Sequence, residues 1–240
     1  MKQAFLLFLF ICVVLDSVSQ VQLDSIITQN DSIKVVDENY REDQFYFSLT
    51  YNLLGQKPMD LKQQGFSAGF HLGFIRDMPF NARRNRAMGV GLGVSSNSYN
   101  QNMLIAEQPN GDYAYSIINE DSISFSKNKF TTYLVEVPLE LRWRTSTAKD
   151  YKFWRIYTGV KFGYVFYNSS KFDGSIGKLN NSNISDITSF RYGVTVSAGY
   201  STWNAHIYYG LNSVFDKAAK IDGQAIDLTS VKIGLMFYIL

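Results

Sequence analysis

The chain has 240 residues, of which 15% are aromatic and only 18% are charged. This balance is unusual for a soluble protein, in which charged residues make up about a quarter of the chain. The formal net charge of +2 gives no indication of a nucleic-acid partner. The length suits one domain, and a single cysteine cannot form an internal disulfide.

Residues 1–19 have the pattern of a secretory signal peptide. Lys2 supplies the positive charge, residues 4–15 supply an apolar core, and residues 17–19 form a small-x-small cleavage site. The core is too short to span a bilayer as a helix. A lipoprotein signal is the alternative because Cys12 lies in the segment, but the residue before it is large where a small one is expected. We therefore expect cleavage after residue 19, which removes one base and one acid and leaves the net charge at +2.

The next segment, 20–43, is mixed and polar, and we predict that it is a periplasmic lead-in, partly extended and partly disordered. From residue 44 to residue 240, apolar and polar residues alternate along segments of strand length. Successive side chains of a strand point to opposite faces, so this pattern predicts strands with one apolar and one polar face. The predicted strands are 44–54, 65–76, 87–99, two within 131–167, 190–200, 205–211 and 229–240.

The connections between these strands alternate strictly in length. Short connections lie at 77–86, 146–151 and 201–204, and long ones lie at 55–64, 100–129, 168–189 and 212–228. An even number of strands joined in this way is typical of outer-membrane proteins. The sequence therefore predicts an all-β fold, an eight-stranded antiparallel up-and-down transmembrane β-barrel of OmpX or OmpA size, over residues 44–240. By the same rule the termini and short turns face the periplasm, and the long loops are extracellular.

Three further features fit the predicted barrel. The pair Asn110-Gly111 lies between two β-prone runs in the longest loop and predicts a β-ribbon there. Trp143, Trp154 and Trp203 all lie beside short turns, as expected of an aromatic girdle in contact with outer-membrane lipids. The segment Lys232–Ile239 resembles the C-terminal signal that the barrel assembly machinery recognises.

The inward face of the predicted strands carries many charged residues. The interior of an eight-stranded barrel is just wide enough for side chains to fill, so charges buried there must pair. We expect Glu136 and Glu140 to neutralise neighbouring arginines. A proton or ion path is the functional alternative. The predicted lumen charge network comprises Glu136, Glu140, Arg142, Arg144, Arg155, Lys161, Arg191 and Lys232.

No residue pattern in the sequence indicates catalysis. The only histidines, His71 and His206, both face the lumen by strand parity, whereas a lipid-modifying barrel needs a histidine near its outer rim or lipid face. Two histidines alone are an improbable metal site. We therefore expect no enzymatic activity, no catalytic residues, no metal and no cofactor.

A group of arginines at the predicted periplasmic end is the strongest candidate for an interaction site. Arg76, Arg83, Arg84 and Arg86 lie in or beside the first short turn. Together with the lumen arginines at that end, they exceed what two glutamates can neutralise. Arginine forks suit carboxylate and phosphate partners. We interpret these four residues as a docking rim for a periplasmic partner. A hydrated rim, or one in contact with lipid headgroups, is the alternative.

Five segments of the chain carry a recognisable pattern: VEVPLELRWRTSTAKDYKFWRIYTGVKFGYVF at 135–166, which is the most specific, and 42–54, 74–93, 201–212 and 232–240. In these segments the chain resembles the PorT (SprT) family. Members of this family are outer-membrane β-barrel components of the type IX secretion system of Bacteroidetes. The resemblance implies a non-enzymatic role in the export of secreted proteases or gliding adhesins, with other components of that system as partners.

A lumen filled with charged and tyrosine side chains cannot pass a folded polypeptide, and large conduits need many more strands. We therefore expect an accessory, assembly or docking factor that works beside the conduit. A general small OmpX-like barrel with a structural or surface-binding role is the alternative, and a lipid-modifying enzyme is a third candidate.

Overall fold

The computed structural model describes residues 41–119, 121–145 and 153–239. The predicted signal peptide, most of the predicted lead-in and the predicted turn at 146–151 lie outside the described residues. Within the described part of the chain, no helix has the length and apolar character that a membrane-crossing helix needs. The described residues form thirteen strands: β1 (Gln44–Gly55), β2 (Ala68–Pro79), β3 (Arg86–Asn100), β4 (Met103–Glu107), β5 (Tyr113–Ile117), β6 (Phe125–Arg144), β7 (Trp154–Gly174), β8 (Gly177–Ser182), β9 (Phe190–Tyr200), β10 (Trp203–Gly210), β11 (Lys220–Ile221), β12 (Gln224–Ala225) and β13 (Thr229–Ile239).

Eight of these strands, β1, β2, β3, β6, β7, β9, β10 and β13, form a closed antiparallel barrel. Each pairs with the barrel strands before and after it in the chain, and β13 pairs with β1 to close the ring. Closure satisfies the backbone of every barrel strand on both sides, which a lipid environment requires. The predicted all-β, eight-stranded antiparallel barrel is therefore confirmed.

The barrel wall is apolar on its outside and polar on its inside. Along β9, Val194 and Val196 are 40% and 47% exposed, whereas Thr195 and Ser197, which alternate with them, are 4% and 2% exposed. A soluble protein shows the reverse, because burial of apolar surface drives its folding. The hydrocarbon core of a bilayer accommodates such an outer wall, and the alternation in the sequence sets which side chains line the lumen.

Two belts of aromatic side chains bound the apolar wall. We name the end with the short connections the turn end and the opposite end the loop end. At the turn end, Trp203 packs on Phe237 with ring centroids 4.9 Å apart, and at the loop end Tyr133 lies 5.6 Å from Tyr167. Tyr133 and Trp143 are ten residues apart on β6, which corresponds to a height of about 26 Å for a strand tilted by about 40°. The exposed tryptophans Trp143, Trp154 and Trp203 all lie in the turn-end belt.

The hairpin of β6 and β7 continues well beyond the loop-end belt. These strands extend six and seven residues past the limits of the predicted segment 131–167. The alternation is weak there because neither face of a strand outside the bilayer has to be apolar. A β-bulge at the belt shifts the register between Tyr133 and Leu134 and leaves Phe166 and Tyr167 both exposed. Beyond the bulge, β8 folds back on β7.

The long connections fold together into a cap over the loop end. The predicted β-ribbon is confirmed, since β4 and β5 pair and Gly111 lies between them with a φ of +85°. The ribbon is tied to β8 by a hydrogen bond from Asn181 Nδ2 to the carbonyl of Ile105 at 2.8 Å. The cap could not be predicted from the sequence, because its core is assembled from separate segments with no common period. Its buried side chains include Met103, Ile105, Tyr115, Phe130, Phe215, Ile226 and Leu228.

The second strand lies three residues later than predicted, at Ala68–Pro79 instead of 65–76. Gly65 adopts a φ of +65° and belongs to the preceding loop. At the other end, Asp77, Met78 and Pro79 continue the ladder with β3, and a proline is tolerated as the last residue of a strand. The polar Asp77 therefore belongs to the barrel wall, where it faces the lumen and is fully buried.

Candidate functional site

The lumen contains two clusters of charged side chains, at different heights. Every member of both clusters is at most 8% exposed. Because an unpaired charge in a protein interior is costly, the partners of each side chain decide what the lumen can do. The turn-end cluster comprises Glu42, Asp77, Glu140, Arg142, Arg144 and Arg155, and the mid-lumen cluster comprises His71, Glu136, Lys161, Arg191 and Lys232.

Asp77 is the centre of the turn-end cluster. The two Nη atoms of Arg144 each donate to one of its carboxylate oxygens at 2.8 Å. Nη1 of Arg142 donates to the same carboxylate at 3.1 Å. The bidentate geometry is the strong form of the arginine–carboxylate pair, so Asp77 joins β2 to β6, the two strands that flank β3.

Two further carboxylates complete this cluster. Glu140 accepts a hydrogen bond from Nε of Arg142 at 3.0 Å. Glu42, which precedes β1, accepts a hydrogen bond at its backbone carbonyl from Arg142 at 3.3 Å, and its carboxylate lies 3.9 Å from Nε of Arg144. The last residues of the predicted lead-in are thereby tied into the turn-end mouth of the barrel.

Arg155 is held differently from the other two arginines. Its guanidinium carbon lies 4.5 Å from the ring centroid of Phe153 and 5.5 Å from that of Tyr238. Among the described residues, its Nε and Nη1 atoms have no hydrogen-bond partner. Aromatic ring faces attract a cation in this geometry, so ring contacts take the place of a carboxylate.

Glu136 is the centre of the mid-lumen cluster. Its carboxylate accepts a hydrogen bond from Ser95 at 2.8 Å and lies 3.1 Å from Nδ1 of His71. The ammonium groups of Lys161 and Lys232 lie 3.3 Å and 3.9 Å from the same carboxylate. Two lysines therefore share the negative charge of Glu136, whose carboxylate oxygens are also in contact with Ser95 and His71.

Arg191 joins the barrel to its cap through neutral partners. Its Nε donates to the carbonyl of Thr188, and its two Nη atoms donate to the carbonyls of Ser213 and Val214, at 2.6–3.3 Å. These contacts hold the connection that precedes β9 against the connection that follows β10. They satisfy the donors of the guanidinium but supply no negative charge.

These contacts differ in part from the predicted pairing. Glu140 does pair with Arg142, but Arg144 pairs with Asp77, and Glu136 pairs with lysines and a histidine. Sequence reasoning missed Asp77 and Glu42 because one was assigned to a turn and the other to the lead-in. Strand parity could have found both, since Glu42 and Asp77 continue the inward positions of β1 and β2.

The four arginines of the predicted docking rim do not form one surface. Arg76 is exposed on the outer wall, whereas Arg86 is exposed at the first position of β3, where it pairs in register with Trp143 of the turn-end belt. Arg83 is exposed in the turn between β2 and β3, whereas Arg84 is half-buried there with a φ of +52°. Arg83 and Arg86 are therefore accessible at the mouth, and Arg76 lies on the wall.

Both histidines lie in the lumen, as strand parity predicted. His71 contacts Glu136, and Nδ1 of His206 lies 2.7 Å from the hydroxyl of Ser197. Within the described ranges, no group of three or more His, Cys, Asp and Glu side chains is arranged to hold a metal ion.

The cap is fastened by a buried tyrosine. The hydroxyl of Tyr115 in β5 donates to Asp186 at 3.0 Å, and its ring meets Phe215 edge-on at 5.6 Å. Burial, together with the hydrogen bond to Asp186, raises the pKa of this hydroxyl above its usual value. The ribbon is therefore part of the apolar core that covers the loop end.

Residues 25–216 match the model of the family described as outer membrane protein beta-barrel domain, which is 192 of 240 residues. The chain belongs to this family. A comparison with curated proteins gave no match. Membership of the outer membrane β-barrel family and the apolar outer wall agree on a location in the outer membrane.

This family member has a lumen that is filled along its length. The turn-end cluster occupies one mouth, the mid-lumen cluster occupies the centre, and the cap core occupies the other mouth. An eight-stranded barrel has little space beyond its own side chains. The arrangement therefore suits a rigid membrane-embedded body that offers its two ends for contact.

Proposed function

We propose that this protein is a PorT-like accessory barrel of type IX secretion, an assembly or docking factor without enzymatic activity. The five segments that resemble PorT support a place in that system. In this proposal the turn end faces the periplasm and the cap faces the outside, as is usual for outer-membrane barrels.

The observation that carries the accessory role is the closed lumen. A polypeptide passing through would have to displace the bidentate pair of Asp77 and Arg144 at one mouth and the cap core at the other. Breaking a buried ion pair alone costs about 3–5 kcal/mol. The filled lumen therefore disfavours a role as the conduit and favours an accessory role beside it.

The contact surface that we propose is the turn-end mouth around Arg83 and Arg86. Both side chains are exposed, and their guanidinium groups suit carboxylates of an acidic periplasmic partner, in this proposal another type IX secretion component. Arg76 on the outer wall is better placed for phosphate groups of membrane lipids. We further propose that Lys232–Ile239, which lies in the closing strand β13, is the segment that the barrel assembly machinery recognises.

Complementation of a deletion strain tests this proposal. Deletion should abolish secretion of type IX cargo, and the intact gene should restore it. A variant with Arg83, Arg84 and Arg86 changed to glutamine should insert as a folded barrel, shown by heat-modifiable migration, but fail to restore export. The matched control changes three exposed loop-end lysines, Lys57, Lys62 and Lys127, to glutamine and should restore export fully.

The other outcomes separate the alternatives. Normal cargo export by the deletion strain would replace the proposal with the general OmpX-like barrel. An altered lipid A profile in that strain would favour the lipid-modifying enzyme. Normal export by the triple arginine variant would remove the docking role and leave those arginines as a hydrated rim.

A further inference from the structure

The mid-lumen cluster carries more positive charge than its own side chains neutralise. Glu136 is its one carboxylate, and it faces the three cations Lys161, Arg191 and Lys232, so the described cluster has a net charge of +2 with His71 neutral. All four charged side chains are at most 8% exposed. Buried charges normally pair or are neutralised in another way.

The turn-end cluster shows that this excess is local. There, the three carboxylates Glu42, Asp77 and Glu140 face three arginines in the described structure, and the net charge is zero. The same barrel therefore balances its buried charges at one height and leaves two uncompensated at another. A general tendency of the lumen to be basic does not explain this difference.

The side chains around the mid-lumen cluster cannot supply the missing negative charge. Glu136 already accepts from Ser95 and His71. Lys232 lies 3.9 Å from it, beyond hydrogen-bonding distance, and 4.8 Å above the ring of Tyr208. Arg191 donates only to neutral carbonyls in the contacts described above. Among the described residues, Lys232 therefore has no carboxylate within hydrogen-bonding distance.

A small cavity lies beneath the cap. It is lined by residues that include Tyr99, Glu136, Lys161, Arg191, Tyr208 and Lys232. About 20 Å³ is open to the centre of a water-sized sphere, which is room for one or two waters or for one monatomic anion. The size disfavours a larger oxyanion, and the three cations of the lining outnumber its one carboxylate, Glu136.

We propose that this cavity is a binding site for one monovalent, halide-sized anion, held between Lys161, Arg191 and Lys232. The anion lowers the net charge of the cluster from +2 to +1 and accepts hydrogen bonds from the ammonium groups. A water molecule fills the same volume but leaves the charge unchanged. The site is independent of the secretion role proposed above.

Anion-dependent stability tests the site. The full chain is refolded in detergent micelles in chloride, bromide or sulfate at equal ionic strength, because residues of both the cap and the wall line the cavity. The midpoint of thermal unfolding should rise with chloride or bromide concentration and then saturate, with a total shift on the order of 5 °C over sulfate. The variant Lys232→Met should lose this dependence, and Lys57→Met, at an exposed loop-end lysine, should keep it.

Bromide-grown crystals of the unaltered protein give a second measurement that does not depend on a variant folding. We expect an anomalous peak in the lumen within about 3.5 Å of an ammonium nitrogen of Lys161 or Lys232. The proposal is wrong if this peak is absent from the lumen. It is also wrong if midpoints in chloride and sulfate coincide, or if Lys232→Met and Lys57→Met respond equally to chloride.

Discussion

The two charged clusters of the lumen differ in how their buried charges are paired. In the turn-end cluster, Asp77 binds Arg144 with two hydrogen bonds of 2.8 Å, and each carboxylate has an arginine in contact. In the mid-lumen cluster, Lys161 and Lys232 share Glu136 at 3.3 Å and 3.9 Å. In the turn-end cluster the carboxylates equal the arginines in number, whereas in the mid-lumen cluster three cations face one carboxylate.

The difference follows from position and side-chain type. Arginine has a planar fork that fits a carboxylate, whereas lysine has a single point charge on a flexible stem. The rigid guanidinium groups at the turn-end mouth join β6 to β2 and to the residues before β1. Flexible ammonium groups at mid-height can adapt to a bound species. We infer that the turn-end cluster is built for rigidity and the mid-lumen cluster for binding.

The largest expected effect is on the centre of the turn-end cluster. Asp77→Asn should lower the free energy of unfolding by about 3–5 kcal/mol, because two buried arginines lose their shared counter-charge. Urea-induced unfolding in micelles, followed by tryptophan fluorescence, measures this loss. The control is Asp173→Asn, which removes a carboxylate from an ion pair with Lys178 that is largely exposed and should cost at most about 1 kcal/mol. Equal losses in the two variants would contradict the rigid-pair interpretation.

The barrel strands could be predicted because lipid imposes a strict rule on them. The limits of β9 agree with the prediction at 190–200, since each residue there must face either hydrocarbon or the lumen. The extension of β6 and β7 could not be found in the same way, because strands outside the bilayer follow no such rule. The cap core was missed because Met103, Tyr115 and Phe215 meet only after separate connections fold together.

The candidate site could also be predicted only in part from the sequence. Strand parity correctly predicts which side chains face the lumen, but it does not give their height or their partner across the barrel. Glu136 and Glu140 are close in sequence and on one face, yet they belong to different clusters. The register between strands decides which side chains meet, as it does for Asp77 of β2 and Arg144 of β6. No periodic pattern in a single sequence reveals that register.

A double-mutant cycle on Lys161 and Lys232 is expected to show a coupling energy of intermediate size. Lys161→Met and Lys232→Met should each cost about 0–1 kcal/mol in sulfate buffer, since the remaining lysine still neutralises Glu136. The double variant should exceed the sum of the singles by about 1–3 kcal/mol, because Glu136 then loses both cations. Urea-induced unfolding of the four proteins measures the coupling. Additive losses would show that the lysines do not share the carboxylate.

The smallest expected effect is on Arg155, which belongs to the turn-end cluster but lacks its pairing. Arg155→Met should cost about 1–2 kcal/mol, because a desolvated cation–π contact has roughly that strength and methionine keeps the apolar contact with Phe153. Arg144→Met is the matched change in the same cluster. It should cost about 3–5 kcal/mol, because it leaves Asp77 without its bidentate partner. Urea-induced unfolding under one condition compares the two. If both variants lose the same amount, Arg155 has a carboxylate partner, and the division between ring-held and carboxylate-held arginines in this cluster is wrong.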